Sequence, residues 1–246
     1  MRKNMKIYLK QIKKYRKEIE MIDEEISTLP DGHLGIKKTT FYQIVGRNHR
    51  GITKQTDIII QLARKRYLEL RKEQLVENLN TDEVLAFQSQ FDLISTLPTA
   101  YRQLPISYFF HPNITSWMNQ AHQPNTLNSE HAKFFFNGTD FRSLAERTIA
   151  ETLHGYNIPY KYDTVVDLID KKVSPDFIVK NPFTNETIIW EHFGAFNHEK
   201  YAESMNNKLD TYEKSGFTSG ENLIITFEYH IRDVSRIKGL IEDFIL

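Results

Sequence analysis

Near the start of the chain, apolar residues recur at alternating intervals of three and four: Ile12, Tyr15, Ile19, Ile22, Ile26 and Leu29, with charged residues between them. This spacing keeps one stripe on one face of a helix. It predicts a helix from about Lys3 to Ser27, ended by Pro30-Asp31-Gly32. Two readings of the stripe stand equal: a coiled coil between two copies, giving a homodimer, or a helix docked on its own domain. From His33 to Val45 the pattern becomes β-like. Leu34, Ile36, Phe41, Tyr42, Ile44 and Val45 flank Lys37-Lys38-Thr39-Thr40, which reads as a hairpin, and Gly46 to Gly51 reads as a basic loop. A second helix is expected from about Lys54 to Asn78, carrying Arg64, Lys65, Arg66, Arg71 and Lys72. A third, capped by Thr81 with Asp82 and Glu83 in its first turn, is expected to reach about Ser95.

Residues 96–140 begin with a stretch rich in Pro, Asn and Gln and read as an irregular connector. Beyond them the order is α-β-β-β-α-β-α. A helix from Arg142 to Gly155, with glycine as its stop, is followed by strands at Ile158–Val166, Ser174–Val179 and Thr187–Phe193. The run Ile188-Ile189-Trp190 suggests a strand buried on both faces. A helix Glu199–Ser215, a strand Asn222–Glu228 and a helix Val234–Phe244 complete the chain. Three regions result: a basic helical region 1–95 that includes the hairpin, a connector 96–140, and an α/β domain 141–246.

Composition narrows the class. No apolar run is long enough to span a membrane, and the charged N-terminus has no signal-peptide core. The absence of cysteine excludes disulfides, thiolate metal sites and cysteine nucleophiles. A cytoplasmic protein is expected. Charge is uneven: residues 1–80 hold 18 Lys and Arg against 10 Asp and Glu, while the remaining 14 and 22 reverse the balance. A basic half beside an acidic half suits a protein that holds phosphates with one and metal with the other. Mutual attraction of the halves explains the same numbers.

Candidate chemistry sits on two strands. Asp176, in Ser174-Pro175-Asp176-Phe177, and Glu191 are joined by a turn, Asn181 to Asn185, of hairpin length. Strand alternation puts Glu191 and Phe193 on one face, Trp190 and His192 on the other. Two neighbouring carboxylates repel and raise one another's pKa unless a counter-ion intervenes. A hard divalent cation with oxygen ligands, Mg²⁺ or Mn²⁺, is the expected cofactor.

Glu146 on a helix, then Pro175-Asp176, then Glu191, on an αβββαβ frame, resembles the PD-(D/E)XK nuclease superfamily. The segment Ile189-Trp190-Glu191-His192-Phe193-Gly194, with Tyr201, Lys208 and Tyr212 and then Gly220 to Glu228, is similar to a variant branch carrying Glu-His-Phe-Gly in place of Glu-x-Lys. Related sequences occur attached to helicases. Leu29-Pro30-x-Gly32 with its hairpin resembles N-terminal regions seen with that branch. The resemblance implies a restriction-endonuclease-like core over about residues 142–228. It implies metal ligation by Asp176, Glu191 and the backbone carbonyl of His192, with Glu146 ordering a metal water. Phe193 stands where the family's lysine is expected. Lys208, four residues before Tyr212 and on the same helix face, is the replacement candidate.

The expected function is metal-dependent hydrolysis of nucleic acid, with DNA favoured, and the candidate nucleic-acid contacts are Arg64, Arg66, Lys200 and Tyr212. A degenerate nuclease frame that binds nucleic acid or a protein partner is the alternative. No Gly-rich phosphate loop is present, so ATP-driven work would need a helicase or ATPase partner.

Overall fold

The computed structural model describes residues 2–80, 90–121, 123–125, 133–169, 171–194 and 199–246; of these, 2–11, 80, 90–92 and 199–202 are described by their backbone alone. The expected helix cap at Thr81, Asp82 and Glu83 lies outside the described residues. The chain divides into two compact units, 1–110 and 111–246. The boundary falls within the connector: its first part folds with the helices before it, the rest with the domain after it.

The first unit begins with α1 (Arg2–Thr28), followed by β1 (His33–Lys37), β2 (Thr40–Val45), β3 (Asn48–Gly51) and α2 (Thr56–Asn80). It continues with α3 (Gln90–Ser95), α4 (Thr99–Arg102) and a 3-10 turn at Ile106–Phe109. The stripe on α1 is used within the chain: Tyr15 and Ile22 are buried, and α1 packs on α2. Its polar margin is tied to the same helix. Arg71 grips Glu18 and Arg64 grips Glu25. Glu25 follows Glu18 by seven residues on one helix and Arg64 precedes Arg71 by seven on the other, so the two helices run antiparallel in heptad steps.

Residues expected as a basic loop form the third strand of an antiparallel meander, ordered β1-β2-β3. The turn into it depends on Gly32, whose φ is +83° and where a Cβ would lie 2.1 Å from the carbonyl oxygen of Ile44. Leu34 turns inward, and its carbonyl accepts from the buried Tyr101 hydroxyl at 2.7 Å.

The second unit has mixed α/β structure. After α5 (Asn113–Asn119) come the ribbon β4 (Phe134–Phe136) and β5 (Thr139–Phe141), α6 (Leu144–Gly155), β6 (Tyr160–Tyr162) and a small hairpin of β7 (Val166–Asp167) and β8 (Lys172–Val173). Then follow β9 (Phe177–Lys180), β10 (Thr187–Phe193), α7 (Glu199–Lys214), β11 (Leu223–Phe227), α8 (Glu228–Ile231) and α9 (Val234–Phe244). The main sheet has the order β11-β10-β9-β6. β10 is parallel to β11 and antiparallel to β9. The chain returns to β11 through α7, as a parallel neighbour requires.

Both faces of β10 are covered, as its apolar run predicts. Ile178, Ile189, Leu223 and Tyr212 form one core cluster. The alternate positions Phe177, Val179, Ile188, Trp190 and Ile224 are buried on the opposite face. α6 continues through Gly155 to a C-cap at Tyr156, and the left-handed residue is Asn157 at φ 54°. The expected glycine stop is therefore an asparagine stop, within the tolerance of that side chain for the conformation. α7 does end on a glycine: Gly216 at φ +86° lets the Phe217 amide reach back to the Tyr212 carbonyl at 2.9 Å. Among the described residues, no helix is long and apolar enough to cross a membrane.

Candidate active site

The antiparallel register pairs Trp190 with Phe177, so one step further along places Glu191 opposite Asp176. Asp176 itself sits just before β9, and one of its oxygens accepts from the backbone amide of His192 at 2.7 Å. Its own carbonyl accepts from the Asp163 amide at 2.9 Å. Two backbone bonds thus hold Asp176 at the mouth of the sheet.

Glu191 is 1% exposed. Both its oxygens face groups from α7. Lys208 Nζ lies 2.7 Å from Oε1 and 2.8 Å from Oε2, and the buried Tyr212 hydroxyl donates to Oε1. The Lys-x-x-x-Tyr spacing aligns both groups on one helix face. Burial, reinforced by the charge of Asp176, pushes the Glu191 carboxyl up to about 8, against the pull of Lys208 and Tyr212.

Glu146 comes from the first turn of α6. Ser143 caps this helix, its Oγ accepting from the Glu146 amide at 3.1 Å. A Glu three residues after a Ser cap ordinarily turns back to the cap's own backbone. Here the carboxylate accepts instead from the Tyr162 hydroxyl at 2.6 Å and the Arg142 amide at 3.2 Å. It is buried, while its neighbours Arg147 and Glu151 pair on the outer face at 3.1 Å. Burial raises the Glu146 carboxyl, and Asp176 raises it further. Asp176 therefore acts electrostatically on both glutamates, which puts three buried carboxylates in one field.

Arg142 carries no signal of its own in the sequence, yet with Lys208 it is a cation of this cluster. Its guanidinium lies 3.0 Å from Asp176 and 3.5 Å from Asp163. Burial works to lower its pKa, but Asp163, with Tyr162 and Glu146, holds it above the ordinary arginine value. Asp163, in a left-handed conformation at φ 43°, also accepts from Ser174 at 2.7 Å and Asn125 at 3.2 Å. The one available hint was adjacency: Arg142 precedes the helix cap and stands four residues before Glu146.

His192 is buried on the far side of β10, its Nδ1 3.2 Å from Thr226 Oγ1 and its Nε2 3.6 Å from Glu228. Burial lowers its pKa, favouring the neutral ring. Phe193, at the position of the expected lysine, is buried and tilts against Phe227. A cleft of about 490 Å³, lined in part by Lys172, Ser174, Asn207 and Lys208, opens beside Lys208.

Two expected nucleic-acid contacts point inward. Arg64 is 3% exposed, bound to Glu25 at 2.8 and 2.9 Å and to the Phe109 carbonyl at 2.6 Å. Tyr212 is fully buried on Glu191. Neither is offered to a ligand on the surface, because each is buried and donates to a carboxylate, Arg64 to the half-buried Glu25 and Tyr212 to the buried Glu191. Arg66 does reach solvent, paired loosely with Glu69 at 3.5 Å. Lys200 lies in α7, where its side chain is not described.

Among the described residues, no three Asp, Glu or His side chains form a ready-made cation cage. The fit to a divalent cation is one of donor type. Asp176, Glu191 and Glu146 are hard oxygen donors held in each other's field, the set that suits Mg²⁺ or Mn²⁺.

No family model matches the chain, and no solved structure matches it. Over 82 residues it is 34% identical to an uncharacterized protein of Methanocaldococcus jannaschii; the stretch is 33% of this chain and 7% of that protein.

Proposed function

We propose that the chain is a Mg²⁺- or Mn²⁺-dependent nuclease of the PD-(D/E)XK type, hydrolysing phosphodiester bonds of nucleic acid, with DNA as the favoured substrate. The observation that carries this reading is the burial of Glu146, Asp176 and Glu191 within one electrostatic field. A fold that merely needed stability gains little from gathering three buried carboxyl groups, whereas burial that raises the pKa of two of them, Glu146 and Glu191, beside a third is an arrangement that clusters at working sites. Asp176 and Glu191 would hold the cation, with Glu146 and the His192 carbonyl completing its surroundings. A cation bound there supplies water activation and charge neutralisation at phosphorus.

The chain's own groups have separate tasks in this scheme. Tyr212 fixes the rotamer of Glu191 from the core side. Lys208, partly exposed at the cleft, is placed to exchange its carboxylate partner for a substrate phosphate oxygen. It would thus take the charge role that Phe193 cannot fill. Arg142 pairs with Asp176 and is a second group able to turn toward phosphate.

The test is incubation of purified protein with linear, circular and single-stranded DNA in Mn²⁺ or Mg²⁺, with EDTA and Asp176→Ala controls. Cleavage that EDTA and the variant both remove supports the reading, and cleavage retained by Asp176→Ala rejects the site. A second reading is favoured by the pairing of Asp176 with Arg142 and of Glu191 with Lys208. Carboxylates already neutralised in this way also describe a nuclease frame that binds without cutting, and metal-independent DNA binding with no cleavage on any substrate would select it.

A further inference from the structure

From Gly32 to Gln55 the chain contains five Lys and Arg and no Asp or Glu. This segment is the three-stranded meander of the first unit and its exit loop. The cations of α2 are largely engaged, since Arg64, Arg71 and Lys72 each face a carboxylate of α1. The meander differs. Lys37, Lys38, Arg47 and Lys54 are exposed, and none has an ion-pair partner among the described residues.

The register shows how the outer face is composed. Leu34 fixes the inward side, so the alternate residues face out. His33 pairs with Ile44 and Ile44 with His49, forming one outward row. In the next row Tyr42 stands between Gly35 on one strand and Gly51 on the other. Lys37, paired with Thr40, ends the face, while Lys38 and Arg47 lie in the two turns.

A tyrosine beside glycines commonly serves to cover them. That is not its arrangement here. The side chain lying closest over Gly35 is Ile44, 2.5 Å from where a Cβ would be, and Gly51 has nothing within 4 Å. Tyr42 approaches the Gly35 position with its Cβ at 3.6 Å, behind Ile44, and no atom of its ring lies within 4 Å of the Gly51 position.

We propose that this outer face is a binding surface for single-stranded nucleic acid, with phosphates held by Lys37, Lys38, Arg47 and Lys54 and one unpaired base stacked on Tyr42. A positively charged track beside an aromatic platform is the chemistry such strands require. The absence of acidic residues over the whole segment removes the repulsion that would otherwise oppose a polyanion. The surface extends the nuclease reading by naming where a strand is gripped, but it does not depend on cleavage.

The experiment is fluorescence anisotropy of a labelled single-stranded oligonucleotide against the full chain in EDTA, where no cutting interferes, over a series of salt concentrations. Each phosphate contact contributes roughly 0.7 to the slope of log affinity against log salt. The combined variant Lys37→Ala, Lys38→Ala, Arg47→Ala and Lys54→Ala is therefore expected to lower that slope by roughly three. Tyr42→Ala is expected to weaken binding about tenfold, and Tyr42→Trp to restore it. Circular dichroism and thermal melting confirm that each variant is folded. Wild-type affinity in the four-cation variant or in Tyr42→Ala overturns the proposal, and so does tighter binding of a fully paired duplex than of the single strand. Binding is read in EDTA and cleavage in Mn²⁺ or Mg²⁺, so failure of the nuclease reading and failure of this surface give different results.

Discussion

Each unit buries pairs of opposite charge, and the pairs are built differently. In the first unit Arg64 and Arg71 each take one carboxylate of α1 with two nitrogens, at 2.8 and 2.9 Å for Glu25 and 2.7 and 3.2 Å for Glu18. The planar fork matches the carboxylate, and the pairs repeat every seven residues along two antiparallel helices. In the second unit Lys208 offers a single ammonium to both oxygens of Glu191, and Arg142 divides itself between Asp176 and Asp163. There the carboxylates act on each other as well as on the cations. The first arrangement fixes the register of two helices. The second keeps anionic oxygens together behind a cation on a flexible stem at a cleft. A guanidinium clamp and a movable ammonium are not interchangeable.

The largest effect expected from breaking this contrast is at Asp176. Asp176→Ala removes the residue whose charge raises both glutamates, and metal-dependent cleavage is expected to fall to background while circular dichroism stays unchanged. An equal loss of cleavage and of folded signal would instead class Asp176 with the structural pairs.

Next in size is the clamp. Glu25→Ala leaves Arg64 buried without its carboxylate and is expected to cost roughly 3–5 kcal/mol in urea unfolding. Replacing both partners, Glu25→Leu with Arg64→Met, is expected to recover most of that loss, since a buried pair and an apolar pair of similar volume are close in stability. If the double replacement behaves like the single one, Arg64 has a role beyond the clamp.

A pH series separates the two kinds of pair further. The folded-state carboxyl of Glu191 is raised from the ordinary 4.5 to about 8. Between those values the folded chain keeps a proton that the unfolded chain has released, so stability falls as pH rises through this window. Each unit of pKa difference corresponds to about 1.4 kcal/mol. With Lys208 free to rearrange, a drop on the order of 2 kcal/mol across the window is expected. Glu191→Gln should abolish most of that slope. Added Mn²⁺ should restore wild-type stability at the alkaline end, because a bound cation favours the ionised carboxylate. Cleavage by the wild type should accordingly rise toward about pH 8.

The main elements of the second unit, α6, β9, β10, α7, β11 and α9, were legible because they follow simple periods. By contrast, α5 and the ribbon β4–β5 fall largely where an irregular connector was expected, and one expected strand at 158–166 ends as β6 with a separate hairpin β7–β8 after it. The apolar run 188–190 reports burial along β10 on both faces. Asp176 and Glu191 were legible because a hairpin of ordinary length brings its two strands together. Arg142, Tyr162 and Asp163 were not, since their meeting with Asp176 and Glu146 depends on how β6 lies against β9 and how the chain enters α6. For the same reason the sequence marked α2 as a cationic face without revealing that Arg64 and Arg71 turn toward α1. Heptad spacing describes one helix face and does not name the partner. The glycines of the meander gave the opposite error: Gly46 and Gly51 suggested a loop, yet β3 pairs fully with β2.

The smallest expected effect is at Arg66, two residues from Arg64 on the same helix. Its ion pair with Glu69 spans 3.5 Å, and both side chains are about a third exposed, at 34% and 38%. Water screens such a pair, and holding two long side chains together costs entropy, so Arg66→Ala is expected to change stability by less than about 0.5 kcal/mol. Its contribution to binding an oligonucleotide is bounded as well, since one lost phosphate contact lowers the salt slope by no more than roughly 0.7. Measured beside Glu25→Ala, it compares a clamped pair with an open one within a single turn of one helix. A destabilisation by Arg66→Ala as large as that of Glu25→Ala would mean that position on α2, and not burial of the pair, sets the energetics of this unit.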